Sequence, residues 1–538
     1  MGKHSKKIVV VGGGPAGLVA ALLASRQGLK VTVIERYTPE RYHGFAHYLN
    51  AQSLDILMRA GVDIQPFKDR RLTPEHEMSM AFGTDARNIF ARIALLDDQD
   101  FSKRHFHLGP MSSGINLGLH VWKKYLLEAV AQSPRITVLW QHEVLSLDKE
   151  ARSLSVKSLC DDKTYAIKYR FLLAADGSKS AIAAFLQAPY SEPVKEWQTF
   201  LNVETHADLR PYIQDPAMMI WLYQPQASAC LVVHDIQELQ VWQIPIMPSI
   251  EGMDMDEAKI RTLLYDFLGV ENRLQGDDQE LNIASFGYWS MRTHALNALS
   301  ACDESVFFIG DSAHCMTPAG GLGLNTALAD ADNLIWKMVM EIEAKGTGDL
   351  QSYHTERFAH GLERMQYSID HYLNFLKVPE AFGLSEKLSP ISSGLRTIGW
   401  GISEALKVCA LPHDYAERWE YGKHQANFSA LKGLERWIAL RIEQRRIFDR
   451  WLPSLDEAIE SNKKYFTAFY AHLAYSYPKM GLWNLMSRPK QNPLLDDSKE
   501  GHRHLRNEPR DFAVGIGVWA GYLKCTTEQG ASEFITEH

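Results

Sequence analysis

The apolar positions along this chain change their period several times, and each change marks an element. Residues 8–11 are a β-branched run too short for a helix, and they predict a buried strand. An Ala/Leu-rich helix follows to about Gln27, with Gly28 as its stop, and a second strand over 31–34 ends in Glu35. Short apolar runs return at 169–175, ending in Asp176-Gly177-Ser178, and at 305–309, ending in Gly310-Asp311. Residues 136–170 alternate as short strands. The segments 219–223 (MIWLY), 230–233 (CLVV) and 241–246 (VWQIPI) predict antiparallel strands with aromatic content. Helical spacing begins near Gly323, where Ala327, Leu328, Ala331, Leu334, Ile335 and Met338 form a core stripe. It returns beyond about residue 350. There Leu431, Leu434, Ile438 and Ile442 recur at three and four, opposite Glu435, Arg436, Glu443, Arg445 and Arg446. Pro379, Pro390 and Pro412 divide shorter helices before them.

At 538 residues the chain exceeds what one core organises, so two or three domains are expected. The net charge of -8 gives no general attraction to phosphate backbones or anionic lipid, which sets nucleic acid aside as a partner. Lysines precede the first apolar run as in a leader peptide, but 8–11 falls short of the ~7–15 residues such a segment needs. Six cysteines (160, 230, 302, 315, 409 and 525) form no CxxC pair and no metal spacing. No metal is expected, and the simpler compartment is a reduced, cytoplasmic one. The stretch 512–523 (FAVGIGVWAGYL) is about half the ~20 residues of a spanning helix, so it reads as a buried element and no transmembrane span is expected.

The first strand runs into Gly12-x-Gly14-x-x-Gly17, with Pro15 and Ala16 inside the motif. Gly12 allows a tight turn, Gly14 lets the backbone approach a pyrophosphate, and Gly17 lets helix and strand pack closely. The helix N-terminus adds amide donors and the positive end of a dipole. Glu35, at the end of the second strand and followed by Arg36, is placed to accept hydrogen bonds from ribose hydroxyls. Strand, helix, strand and terminal acid together predict a dinucleotide site. An acid at 35 disfavours a 2′-phosphate there, so FAD or NAD fits this site and NADP does not.

Taken in order, three elements carry a family resemblance: the first glycine motif with Glu35, then AADGSKS at 174–180, then GDSAHCMTPAGGLGLNTALADADNLIWKM from Gly310. Together they resemble the single-component (group A) FAD-dependent aromatic monooxygenases, in the phenol hydroxylase and polyketide hydroxylase branch, over roughly residues 6–345. The resemblance implies a mixed α/β (α+β) fold. A Rossmann-like FAD-binding domain would lie in two pieces, 1–190 and 285–375, with an inserted antiparallel-sheet substrate domain at 191–284. A mostly helical C-terminal region would take 376–538. It further implies that Asp311 bonds a ribityl hydroxyl and that Asp176 lies near the pyrophosphate and is linked to NAD(P)H use. The loop through Pro318, Gly321, Gly323, Leu324 and Asn325 would pass the pyrimidine edge of the isoalloxazine, and Gly310 would stand at the turn. The helix beginning near Gly323 suits that place, because reduced flavin is anionic at N1 and a helix N-terminus stabilises negative charge. The implied reaction is hydroxylation of an apolar, phenolic or quinoid small molecule. NAD(P)H is co-substrate and O2 is carried as a flavin C4a-hydroperoxide.

The sequence departs from the family in three places. Ala183 stands where an Arg usually follows the DG motif, Phe45-Ala46 where an Arg-Ala pair is common, and Leu119 or His120 where a Gln often opens the helix. These departures bear most on the nicotinamide step. QVWQIPI resembles part of a halogenase motif through Trp242, Ile244 and Pro245, with Gln240 in place of its first Trp. A two-component halogenase or oxygenase fed by a separate reductase therefore stays as an alternative, as do a flavoprotein reductase or dehydrogenase and a non-enzymatic FAD protein. Trp221, Tyr223, Trp242 and His234 are candidates to line an apolar pocket or to be core. His47, His234 and Tyr223 are candidates for the catalytic base, and His314 reads as a support of the loop. The aromatic segment 452–493 is open to three readings: pocket closure, a dimer face or a peripheral membrane contact. Monomer and homodimer both stay open.

Overall fold

The computed structural model describes residues 7–40, 48–68, 79–94, 115–224, 227–246, 255–270, 281–343, 349–381, 458, 459 and 461. Expectations for Phe45, Ala46, His47, residues 382–457 and the chain after 461 lie outside these residues.

The fold is mixed α/β and built on two sheets. The first has six strands in the order Ser300–Ala301, Val306–Phe308, Phe171–Ala174, Lys7–Val11, Lys30–Glu35 and Ile136–Trp140. Every pairing is parallel except that of the edge strand Ser300–Ala301. Lys7–Val11 sits inside the sheet and is covered on both faces, which explains an unbroken β-branched run rather than an alternating one. Helix Pro15–Arg26 packs on helix Leu322–Glu343, and both join the core of this sheet. The stripe from Ala327 to Met338 is buried there as its spacing predicts.

The second sheet has eight strands in the order His314–Cys315, Asn282–Leu296, Tyr190–His206, Leu239–Pro245, Ser228–Asp235, Met219–Tyr223, Ser79–Asp85 and Asn88–Ala94. The three aromatic strands read from the sequence all appear in it. Its last hairpin comes from far upstream: Met80 pairs with Met219 in the one parallel contact of this sheet. No local pattern announces a partner that distant.

Alternation gives this sheet two different faces. Leu231, Trp242 and Ile244 pack beneath helix Glu257–Leu268 on one side. Met80, Phe82 and Tyr223 lie on the other, with Trp221 and with Phe375 from the end of helix Gln351–Phe375. Two small sheets complete the described residues. Among these residues no helix is long and apolar enough to cross a membrane.

Candidate functional site

Strand register brings the first site together. Val11 is paired with Ile34 on one side and Ala174 on the other, and Ala174 is paired with Phe308. The last residue of one strand, Glu35, and residues just beyond the others (Gly12, Asp176 and Gly310-Asp311) therefore share the carboxyl end of the parallel sheet, where such sheets hold ligands. Gly12 has φ +109°, and a Cβ there would stand 2.2 Å from the carbonyl oxygen of Ala175. A Cβ on Gly17 would stand 2.1 Å from the carbonyl of Gly12, so Gly17 serves the packing of helix on strand. Gly14 differs from both: nothing lies within 4 Å of where its Cβ would be.

Gly14 is the N-cap of helix Pro15–Arg26, with Pro15 in the first turn and no side chain capping the amides. Its neighbour Ala16 lies 3.6 Å from the Cβ position of Gly310, so two motifs almost three hundred residues apart in sequence meet here. The carboxylate of Glu35 accepts the Gly13 N–H at 2.6 Å and the Tyr37 N–H at 2.9 Å. Each oxygen keeps a lone pair for a sugar hydroxyl. Arg36 is exposed, its guanidinium 4.7 Å from the Tyr37 ring centre. Asp176 Oδ2 accepts the Ile182 N–H at 3.1 Å, while its buried Oδ1 has no partner among the described residues. Burial raises its pKa, against hydrogen bonds from Ser180 and nearby amides. Asp311 is surrounded by protein, which raises its pKa against the pull of His314, yet its surface is accessible. An open glycine face, uncapped amides, an orphaned carboxylate oxygen and an enclosed but accessible acid all fit a bound dinucleotide.

The second glycine loop is gripped from two sides. A Cβ on Gly321 would touch the Tyr48 side chain at 3.3 Å, and one on Gly320 would reach Nδ1 of His371 at 3.1 Å. Thr317 donates its N–H to Ser368 Oγ at 3.2 Å and its hydroxyl to the Ser368 carbonyl at 2.8 Å. Pro318 is exposed, and Gly323 and Leu324 are partly so, at the start of helix Leu322–Glu343. Asn325 turns inward. Its Oδ1 accepts from Asn50 N–H (2.9 Å) and Ser53 Oγ (2.6 Å), and its Nδ2 donates to the carbonyls of Tyr48 and Gly321. Its side chain thus ties the loop to helix Ala51–Arg59. Gly310 is also a packing position: its Cβ would be 2.8 Å from that of Ala327, and its N–H goes to Asp330 Oδ2 at 3.0 Å.

Behind the loop lies a buried charge cluster that sequence reasoning missed. Arg357 Nε donates to Asp330 Oδ1 at 2.7 Å, and His314 Nε2 lies 2.8 Å from Asp330 Oδ2. A Cβ on Gly361 would sit 2.7 Å from the His314 ring, so that glycine admits the imidazole. His371 is buried deeply enough to push its pKa down to about 3. Its folded pKa lies below the unfolded value of about 6.5, so the unfolded chain takes up the proton first as pH falls. Stability contributed by neutral His371 is complete above about pH 6.5 and declines below it. Melting curves of His371→Gln should therefore slope less between pH 6.5 and 4 than those of the parent; equal slopes would refute this.

The pocket candidates separate. Trp221 lies 4.1 Å from Phe375, ring centre to ring centre, and stacks on Tyr223 at 6.5 Å. Tyr48, which touches Gly321, joins this same cluster. Trp242 does not: it packs on Phe267 and donates to Thr205 Oγ1 at 3.0 Å, on the opposite face. Gln240 donates to the carbonyls of Ala207 and Asp235. His234 is six residues along the strand from Ser228, the partner of Tyr223, so the two lie about 20 Å apart. His47 is outside the described residues. Ala183 is a buried core residue whose N–H is capped by Ser180, and Leu119 is buried at its helix start.

A family model described as "FAD binding domain" matches residues 5–368. The chain is similar to 2,4-dichlorophenol 6-monooxygenase of Delftia acidovorans, with 24% identity over 396 residues, covering 71% of this chain and 65% of that one. It is also 24% identical over 369 residues to phenol 2-monooxygenase of Pseudomonas sp. (strain EST1001), covering 65% and 56%. The chain thus spans less than two thirds of the length of either relative. The fold is similar to that of the flavin-dependent monooxygenase PieE, solved with FAD and substrate. The TM-score is 0.70 at 21% identity, over 92% of this chain and 78% of that one.

Proposed function

The chain belongs to the FAD-binding-domain family, and from that premise we propose that it is a monooxygenase that hydroxylates an apolar aromatic small molecule, phenolic or quinoid, using NAD(P)H and O2. The observation that carries this reading is the meeting of the Gly14 face, Glu35, Asp176 and Asp311 at one sheet end, with an aromatic wall reached through Tyr48. Gly14, Ala16 and the helix amides would receive the diphosphate, Glu35 a ribose, and Asp311 the ribityl chain. The helix beginning at Leu322 would direct its dipole at charge on the ring. When bound, FAD supplies the electron and oxygen transfer that side chains cannot perform.

The chain's own part is binding, orientation and exclusion of water. Trp221 is partly exposed over the buried Tyr223, Phe82 and Phe375, so it is the member of this aromatic wall that a substrate ring would meet. A phenol reacts faster as its anion, so a nearby group should take its proton. Of the two described candidates, Tyr223 belongs to the same cluster as Tyr48, and His234 follows Val233, whose carbonyl accepts from Asn116, the strand partner of Tyr48. Trp242 and Ile244 pack under helix Glu257–Leu268, so the halogenase-like fragment serves the core. The proposed partition keeps 1–190 with 285–375, 191–284, and 376–538, with Ser79–Ala94, residues 285–296 and His314–Cys315 of the first unit joining the eight-stranded sheet.

Anaerobic mixing with NADPH or NADH, beside a panel of phenols and quinones, tests the reading. Bleaching of the flavin band, followed in air by recovery and a hydroxylated product, is expected. Bleaching without any oxygenated product would make the protein a reductase. Product formed only with an added flavin reductase would make it a two-component enzyme.

A further inference from the structure

The site proposed above is rich in acid. Glu35, Asp176 and Asp311 converge on it, and a diphosphate brings more negative charge. Helix amides offset part of this repulsion. Among the described cations nearby in sequence, Arg36 and Lys179 are exposed, where water screens them. Lys123 is not. It projects from helix Leu119–Gln132, is only 7% exposed, and donates through Nζ to the carbonyl of Pro39 at 2.9 Å. Burial lowers its pKa, and the charges of Glu35 and Glu40 oppose that shift. A buried ammonium is costly unless an anion or an acceptor repays its desolvation, and here both are provided within the segment 35–40.

We infer that Lys123 is the charge-balancing residue of the dinucleotide site. Its ammonium ties down the turn after Glu35 through Pro39 and sets a positive charge against that acid and the adenosine diphosphate half of FAD. The inference rests on the proposed cofactor. It also gives the chain a cation beside the site, although position 183, where an Arg is usual, carries none.

The test is FAD binding to apoprotein, followed by quenching of flavin fluorescence at low and high salt, with melting of each apoprotein alongside. Lys123→Met should raise the Kd on the order of tenfold at low salt. The gap should narrow at high salt, because screening removes what the charge contributes. Lys123→Arg should stay near the parent. Lys123→Gln keeps a donor for Pro39 without the charge, so it should weaken binding as Lys123→Met does, and it carries the comparison should that variant not fold. A parent protein that binds no FAD would overturn the proposed function itself. Parent-like binding by Lys123→Gln, or a loss in Lys123→Arg equal to that in Lys123→Met, would overturn the role of Lys123 alone.

Discussion

Gly14→Ala is expected to leave the apoprotein as stable as its parent while raising the Kd for FAD by about a hundredfold. Gly14 has φ -74° and ψ 178°, which alanine adopts freely, and its Cβ would meet no protein atom within 4 Å. The methyl group would instead stand where the backbone meets the diphosphate. Gly12→Ala should behave in the opposite way. Its φ of +109° and a Cβ 2.2 Å from a backbone oxygen combine strain with overpacking, at roughly 3 kcal/mol or more. Urea unfolding of the apoproteins, with FAD titration of whatever folds, separates the two. A Gly14→Ala protein that binds FAD as the parent does would remove the phosphate from this turn.

Arg357→Met should destabilise the protein by about 3–5 kcal/mol, since it leaves Asp330 buried without its guanidinium. Adding Asp330→Asn should recover part of that loss, because the new amide oxygen can still accept the Gly310 N–H while no charge is stranded. Urea unfolding of the two singles and the double gives the coupling. A double variant less stable than Arg357→Met would show that Asp330 acts otherwise. The acid limb adds a check. Burial favours the neutral acid, but His314, Arg357 and the Gly310 amide outweigh it and hold the pKa of Asp330 below the usual value. A folded pKa that is depressed contributes stability above the unfolded value of about 3.9, lost as pH falls through the folded one. Asp330→Asn should accordingly lose less stability than the parent below about pH 4.

The contrast between Asp330 and Gly14 shows what was legible beforehand. Gly14, Glu35 and Asp176 are local: strand, turn and helix follow from a few adjacent residues, and the proposed chemistry needs only their place at the strand ends. Asn325 was legible as part of the loop, but not its direction, because Asn50 and Ser53 approach from a segment far away in sequence. Trp221 and Trp242 are indistinguishable as aromatic strand residues. Only the helix laid over one face decides which of them is core.

The sequence by itself determined the glycine turns, the acids at strand ends and the short strands that carry them, since φ restrictions and side-chain periodicity act within a few residues. The long strands Tyr190–His206 and Asn282–Leu296 and the hairpin of Ser79–Asp85 with Asn88–Ala94 were not read from it. The tertiary structure alone decided that Ala16 meets Gly310, that Arg357 neutralises Asp330, that Lys123 reaches the turn after Glu35, and that Tyr48 joins the second glycine loop to the aromatic face. These are contacts between segments whose separation no local period encodes. They form because burying charged and apolar groups is favourable only once every partner has been brought to the same place.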